Sequence, residues 1–270
     1  MFDMNNTVAN IATLRTVQKA MQLLHAFSNA EPELSIGVLS ERLEMHKSIV
    51  SRLVATMCEW RILERDPVTK RVRLGLGALL LGMQVANQNP LHRLALPLLG
   101  ALVERTRHTA HVSARDGAEM LVIASVLSPD ALRVTLQLGD RRPLHATAAG
   151  KILLAHMSDP EQAELLSQAG LKALTQQTIT NPMELVRTLA SVRATGIAWN
   201  EGESASGVGS VAAPVHDASS RVIGAVSSVF PLSQVKASDR RSLEEGVRQA
   251  SHDLSVALGW RGAETIKRRS

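Results

Sequence analysis

The chain contains no tyrosine, and aromatic side chains together make up 2 % of it. Sites that stack sugars or single-stranded bases are built on aromatic faces, so this composition argues against both. Cys58 is the single cysteine, which excludes an intramolecular disulfide and a multi-cysteine zinc cluster and fits a reducing compartment. No apolar run reaches the ~18 residues of a membrane span. The opening "MFDMNNTVANIATL" has neither the basic start nor the apolar stretch of a secretion signal. A cytoplasmic protein with no membrane partner is expected. Internal repeats and low-complexity tracts are also missing. What the sequence has is aliphatic bulk: 45 % of its 270 residues are hydrophobic, enough for one large or two modest domains.

The net charge of +5 is concentrated rather than spread. Between residues 46 and 73 lie Lys47, Arg52, Arg61, Arg65, Lys70, Arg71 and Arg73, against Glu59, Glu64 and Asp66. Such a stripe suits a polyanion binder. A solvated helix face carries the same charge, so the surrounding pattern has to decide. Residues 16–28 place Val17, Ala20, Met21, Leu24 and Phe27 at helical spacing, and "NAEPEL" follows as a loop. Ser35 stands where an N-cap belongs, ahead of a helix with Ile36, Leu39 and Leu43 on one face. After a break at Glu44-Met45-His46, a second helix buries Val50, Leu53, Val54 and Met57. Its outer face carries Ser48, Ser51, Arg52 and Ala55. Ser40 is small where the two helices must approach. This is a helix-turn-helix pattern.

"ILERDPVTKRVRLG" then reads as strand, turn, strand, with Asp66-Pro67 opening the turn. Period-two alternation puts Arg71 and Arg73 on one face and Val72 and Leu74 on the other. A hairpin directly after a recognition helix is a wing. The expected contacts to double-stranded DNA are Lys47, Ser48, Ser51 and Arg52 on the helix and Lys70, Arg71 and Arg73 on the wing, within a domain of residues 1–75.

Residues 76–89 read as a linker helix, with Leu76, Leu79, Leu80 and Met83 on one side. That side would suit pairing with a second copy or packing on its own domain. Residues 90–260 mix helices and strands. A helix at 91–108 precedes two strands around Asp116-Gly117 and a third strand, "LRVTLQLG", at 132–139. Helices at 147–157, 159–169 and 182–195 lead to three strands, the last two turning at 217–220, and to a final helix at 233–258. The implied class is α+β with an antiparallel sheet. Residues 261–270 form a basic polar tail.

"PLHATAAGKILLA", at 143–155, resembles half of a phosphate loop, but His145 and Ile152 stand where Gly and Ser or Thr are required. His145, Lys151, Ser210 and Asp217 could be arranged as a hydrolase, yet no Gly-x-Ser-x-Gly elbow exposes a serine. His108 and His111 are the nearest histidine pair, too few ligands for a zinc site. No catalytic residue, metal or cofactor is assigned. Cys58 reads as a packed thiol.

Five stretches in order, "TVQKAMQLL", "HKSIVSRLVATM", "ERDPVTKRVRLGLGALLLG", "PLHATAAGKILLA" and "GVGSVAAPVHDASSRVIGAVSSV", resemble the IclR family of bacterial transcriptional regulators over nearly the whole chain. The resemblance implies a winged helix-turn-helix, a linker helix that helps dimerise, and a GAF-like effector domain. It also implies a homo-oligomer, a dimer or dimer of dimers, that represses or activates, with RNA polymerase a further candidate partner. In the family the "HATAAGK" stretch lines the effector pocket at a helix start, where free N–H groups attract anions. Thr147, Ala148, Ala149 and Gly150 are small enough for a carboxylate to come close, and Gly139 would give similar access. By family position Asn200, Ser210 and Ser227 add polar contacts, and Val134 and Val208 apolar walls. The expected effector is a small organic acid. Three departures stand out: Glu44 replaces a common turn glycine, Ile49 replaces the threonine of "K-S-T", and Gly209 replaces a common arginine. Competing readings are a GAF-like enzyme and a metabolite sensor without regulatory DNA binding.

Overall fold

The computed structural model describes residues 14–28 and 31–262; residues 1–13 and most of the expected tail lie outside them. Two compact units divide between Ala86 and Asn87.

The first unit contains α1 (Arg15–Leu24), β1 (Glu33–Leu34), α2 (Ile36–Arg42), α3 (Lys47–Glu59), β2 (Leu63–Arg65) and β3 (Val72–Leu74), and α4 (Leu76–Gln88) runs from it across the division. Its core gathers Leu23, Leu34, Leu39, Val50, Val54, Leu63 and Val72. Ser35 caps α2 as expected, its hydroxyl accepting the Val38 N–H at 3.2 Å. The buried stripe of α1 is displaced by about one residue from the expected one. Leu23 is buried, whereas Val17 and Met21 are exposed. The Leu23-Leu24 pair let two helical phases look alike, and the helix ends at Leu24 rather than Ser28.

The turn between α2 and α3 is closed by Ser40, whose hydroxyl donates to the Met45 carbonyl at 2.5 Å. Glu44 sits there at φ 51°, the left-handed region that costs an L-residue roughly 1–2 kcal/mol. The geometry is therefore the one glycine prefers, held by a glutamate. Glu44→Gly is expected to stabilise the unit by about 0.5–1 kcal/mol once the added freedom of the unfolded chain is subtracted. A thermal melt of the full chain checks this, and a lowered melting temperature would contradict it.

β1 falls in the segment read as a loop. It pairs antiparallel with β3, Glu33 opposite Arg73 and Leu34 opposite Val72, and β2 pairs on the other side. α4 starts tightly against the end of α3, since a Cβ on Gly77 would come within 2.7 Å of the Arg61 carbonyl oxygen. Beyond that start it contains no buried residue. Leu76, Leu79, Leu80 and Met83 are all exposed, and so are Leu81 and Val85 elsewhere around the helix.

The second unit contains α5 (Pro90–Thr106), β4 (Thr109–Asp116), β5 (Glu119–Val126), β6 (Arg141–Pro143), α6 (Ala148–Ala155), α7 (Asp159–Ala169), α8 (Pro182–Thr195), β7 (Ala198–Glu201), β8 (Val208–His216), β9 (Val222–Pro231) and α9 (Arg240–Ala257). The strands form one antiparallel sheet in the order β6-β5-β4-β9-β8-β7. Alternate side chains face opposite sides. Ala110, Val112, Val211, Ala213 and Val226 pack with α5 and α9. Ala212, Ala225 and Val229 pack with α6 and α8 on the other side.

Residues 132–139 are not a strand. Their apolar alternation is real, since Val134 and Leu136 turn inward. Hydroxyls take the backbone carbonyls that a ladder would have used: Thr109 Oγ1 donates to Val134 O at 2.7 Å and Ser125 Oγ to Leu136 O at 2.6 Å. The last helix begins at Arg240 instead of 233, because residues 232–239 form two tight 3-10 turns. No helix among the described residues is long and apolar enough to cross a membrane.

Candidate DNA-reading surface and ligand pocket

On α3, Lys47, Ser48, Ser51 and Arg52 are all exposed on the side away from Val50 and Val54. The helix starts at His46, whose Nδ1 accepts the Ser48 N–H and lies 2.8 Å from the Ser48 hydroxyl. That hydroxyl is therefore engaged with its own cap. In the wing, Asp66 Oδ1 accepts the N–H groups of Val68 and Thr69. Bonds from Thr69 and Val68 hold its carboxyl below the usual range. Lys70 closes the turn at φ 58°, its Nζ donating to the Pro67 carbonyl at 2.6 Å.

Arg71 is exposed and forms no ion pair among the described residues. Arg73 differs. It donates to Glu64 at 3.2 Å and to Glu33 at 3.3 Å, so two carboxylates offset its field. The alternation put Arg71 and Arg73 on one face, but the missed β1 brings Glu33 to that same surface.

In the second unit a cavity enclosing about 520 Å³ of empty space, its mouth included, opens beside the start of α6. Val134, Ala149, Asn200, Val208, Ser210 and Ser227, all anticipated, line it. Ala148, Gly150 and Gly139 do not. Gly139 ends no strand; it lies in a turn at φ 88°. Gly150 is small for a packing reason, since a Cβ there would fall onto the backbone of Leu144. Its N–H is already bonded to the Thr147 hydroxyl, the N-cap of α6, at 3.0 Å.

The lysine that made "AAGK" suggestive is buried. Lys151 Nζ donates to the Trp199 carbonyl at 3.0 Å and to Glu203 Oε1 at 2.5 Å, tying α6 to β7 and the turn beyond it. Asn200 supports that turn by accepting the Glu203 N–H at 2.8 Å and donating to Ser204 Oγ at 2.9 Å. Thr147, within the anticipated stretch, also lines the cavity, whereas Arg142 and above all His111 were not anticipated. His111 was legible in one respect, because it is out of phase with Ala110 and Val112 and so must share the pocket face with Ser227. Burial pushes its imidazole down to about 4. His108, the other member of the suspected metal pair, packs on Phe230 with centroids 5.2 Å apart, on the α5/α9 side of the sheet.

A winged helix-turn-helix with an open basic face, in one chain with a pocketed α+β unit, is the layout of a DNA-binding transcriptional regulator. The chain belongs to the IclR family: residues 16–67 match the IclR helix-turn-helix domain and residues 83–256 the bacterial transcriptional regulator IclR C-terminal domain. It is 31 % identical to the HTH-type transcriptional regulator XynR of Escherichia coli, over 92 % of this chain and 98 % of that protein. It is 33 % identical to the Pca operon regulatory protein of Acinetobacter baylyi, over 80 % and 78 %. Among solved structures, the IclR transcriptional regulator from Alicyclobacillus acidocaldarius superposes with a TM-score of 0.83 at 26 % identity, covering 92 % of this chain and 100 % of that one. These relatives are transcriptional regulators, not enzymes, and an operator in double-stranded DNA is the partner that follows.

Proposed function

We propose that this regulator binds its operator as a homo-oligomer in the cytoplasm and that a small organic acid in the pocket of the second unit sets its DNA affinity. The observation that carries the acid is the charge of the lining: Arg142 is a cation, and no lining residue is a carboxylate. Burying an anion requires paired donors. Arg142 and the Thr147–Ala149 start of α6 supply that end of the site, and Val134 and Val208 the apolar contact. Pairing through α4 would cover its exposed leucines and place two reading heads a DNA turn apart, as two-fold operators require. RNA polymerase is a further partner of the DNA-bound form.

The switch is tested by operator titration with and without an acid found by thermal shift. Coupling of about 1–3 kcal/mol would change operator affinity roughly 5- to 150-fold. Ala149→Leu should fill the cavity and abolish the response while leaving DNA binding intact; a variant that responds normally moves the ligand elsewhere. On the DNA side, Arg52→Ala should cost about 1–3 kcal/mol of operator affinity if the contact is to a base. Arg71→Ala should lower the salt slope by about one unit. Arg73→Ala should lower it less, because Glu33 and Glu64 already offset that charge. Equal slopes for the two wing variants would overturn this division of labour.

A further inference from the structure

Two side chains in the pocket lining have polar atoms without a partner among the described residues: both ring nitrogens of His111 and the hydroxyl of Ser227. They are cross-strand neighbours, directly opposite each other on β4 and β9, and are 2 % and 0 % exposed. Ser113 and Ser228 also lack side-chain partners, but they do not line the cavity. The His111–Ser227 pair is set apart by where it faces. Buried polar groups are almost always paired, and leaving one unpaired is costly. A pocket that keeps two adjacent ones open is built for a ligand group that completes them.

We infer that His111 and Ser227 form a receptor for an uncharged oxygen group of the ligand, a hydroxyl or a carbonyl, distinct from the acid end held near Arg142. This rests on the acid-binding reading of the pocket and adds the second half of the ligand. A neutral imidazole presents one N–H donor and one ring lone pair, and a serine hydroxyl both donates and accepts. A ligand hydroxyl satisfies that combination in either direction, and a carbonyl takes the donors. A second carboxylate is disfavoured, because Arg142 is the one cationic side chain of the lining. A buried charge facing only neutral donors stays poorly compensated. The neutral form of His111 is fixed by its burial. The ligand class is thus a small monoacid with an additional hydroxyl or oxo group.

The test uses matched triplets as probes: propionate, 3-hydroxypropionate and malonate; benzoate, 3-hydroxybenzoate and isophthalate. Thermal shift and direct titration are run on the full chain and on His111→Leu and Ser227→Ala. In at least one triplet the hydroxy acid is expected to bind roughly tenfold more tightly than its parent. Both variants should reduce the advantage of the hydroxy acid over its parent to about nothing. Preference for the dicarboxylate, no gain from the hydroxyl, or a gain that survives in His111→Leu would overturn the inference. If no acid of either triplet binds, the acid reading of the pocket fails, and the unliganded melts then decide this inference separately. Melting temperatures at or above wild type in both variants show polar groups held open for a ligand. A clear fall in both shows that the two side chains serve the fold instead.

Discussion

Lys151→Ala is expected to destabilise the second unit by about 3–5 kcal/mol, the usual cost of breaking a buried ion pair from one side. The alanine would leave Glu203 buried without its cation, and Glu203 Oε2 already has no partner among the described residues. It would also release the Trp199 carbonyl. Removing both charges is predicted to be far milder. Lys151→Met with Glu203→Gln should recover most of the loss, because replacing a whole buried pair is often close to neutral. Chemical denaturation of the two single variants and the double variant gives the coupling directly. A cost below about 1 kcal/mol for Lys151→Ala would show that the pair is not held as tightly as its geometry implies. A lysine engaged in this way is not available to a phosphate, which gives the "AAGK" stretch a structural meaning.

That stretch was legible only in part. Its position at a helix start beside a pocket followed from the family resemblance, and Thr147 does cap α6. The roles of individual residues did not follow. Gly150 and Lys151 are dictated by what lies across from them, Leu144 in one case and Glu203 in the other. Those partners are close only once the chain has folded. The helix-turn-helix was more legible because its signals are local: a cap at Ser35, a break near Glu44, and apolar spacing through α3. Even there the short strand at Glu33–Leu34 escaped, since two residues carry no period, and with it the Glu33 ion pair that helps restrain Arg73.

The sheet was legible wherever strands alternate and are joined by a tight turn, as at Asp116-Gly117 and at 217–220. The segment 132–139 alternates just as clearly but forms no ladder. The hydroxyls of Thr109 and Ser125, on other elements of the fold, claim its carbonyls. The pocket's polar lining was partly hidden for a related reason. Ser210 and Ser227 were placed through the family, but His111 required the phase of β4 and its register against β9.

That histidine also sets a pH dependence. Below neutrality the unliganded protein is expected to lose stability in a window belonging to His111. Burial lowers its folded value to about 4 from the ordinary 6.5, and the Asp140 charge only partly opposes this. An unfolded chain therefore takes up the proton near pH 6.5, while the folded chain resists until about pH 4. Where the unfolded state binds more protons, stability falls as pH falls. The contribution is thus complete above about 6.5, is lost progressively down to about 4, and is flat below. A shift of this size corresponds to something on the order of 3 kcal/mol. The depressed carboxyls act elsewhere. Asp217, held near 2 by its bonds to Ser219 and Arg221, loses its contribution only as pH drops from 3.8 toward 2. His108 and His216 are also lowered by burial, but they are present in wild type and variant alike. Urea denaturation of wild type and His111→Leu from pH 7.5 to 4 isolates the His111 share by difference. The wild-type curve should fall more steeply between pH 6.5 and 4, so that the gap between the two proteins widens as the pH drops. Parallel curves across that window would mean that His111 is not held neutral by burial.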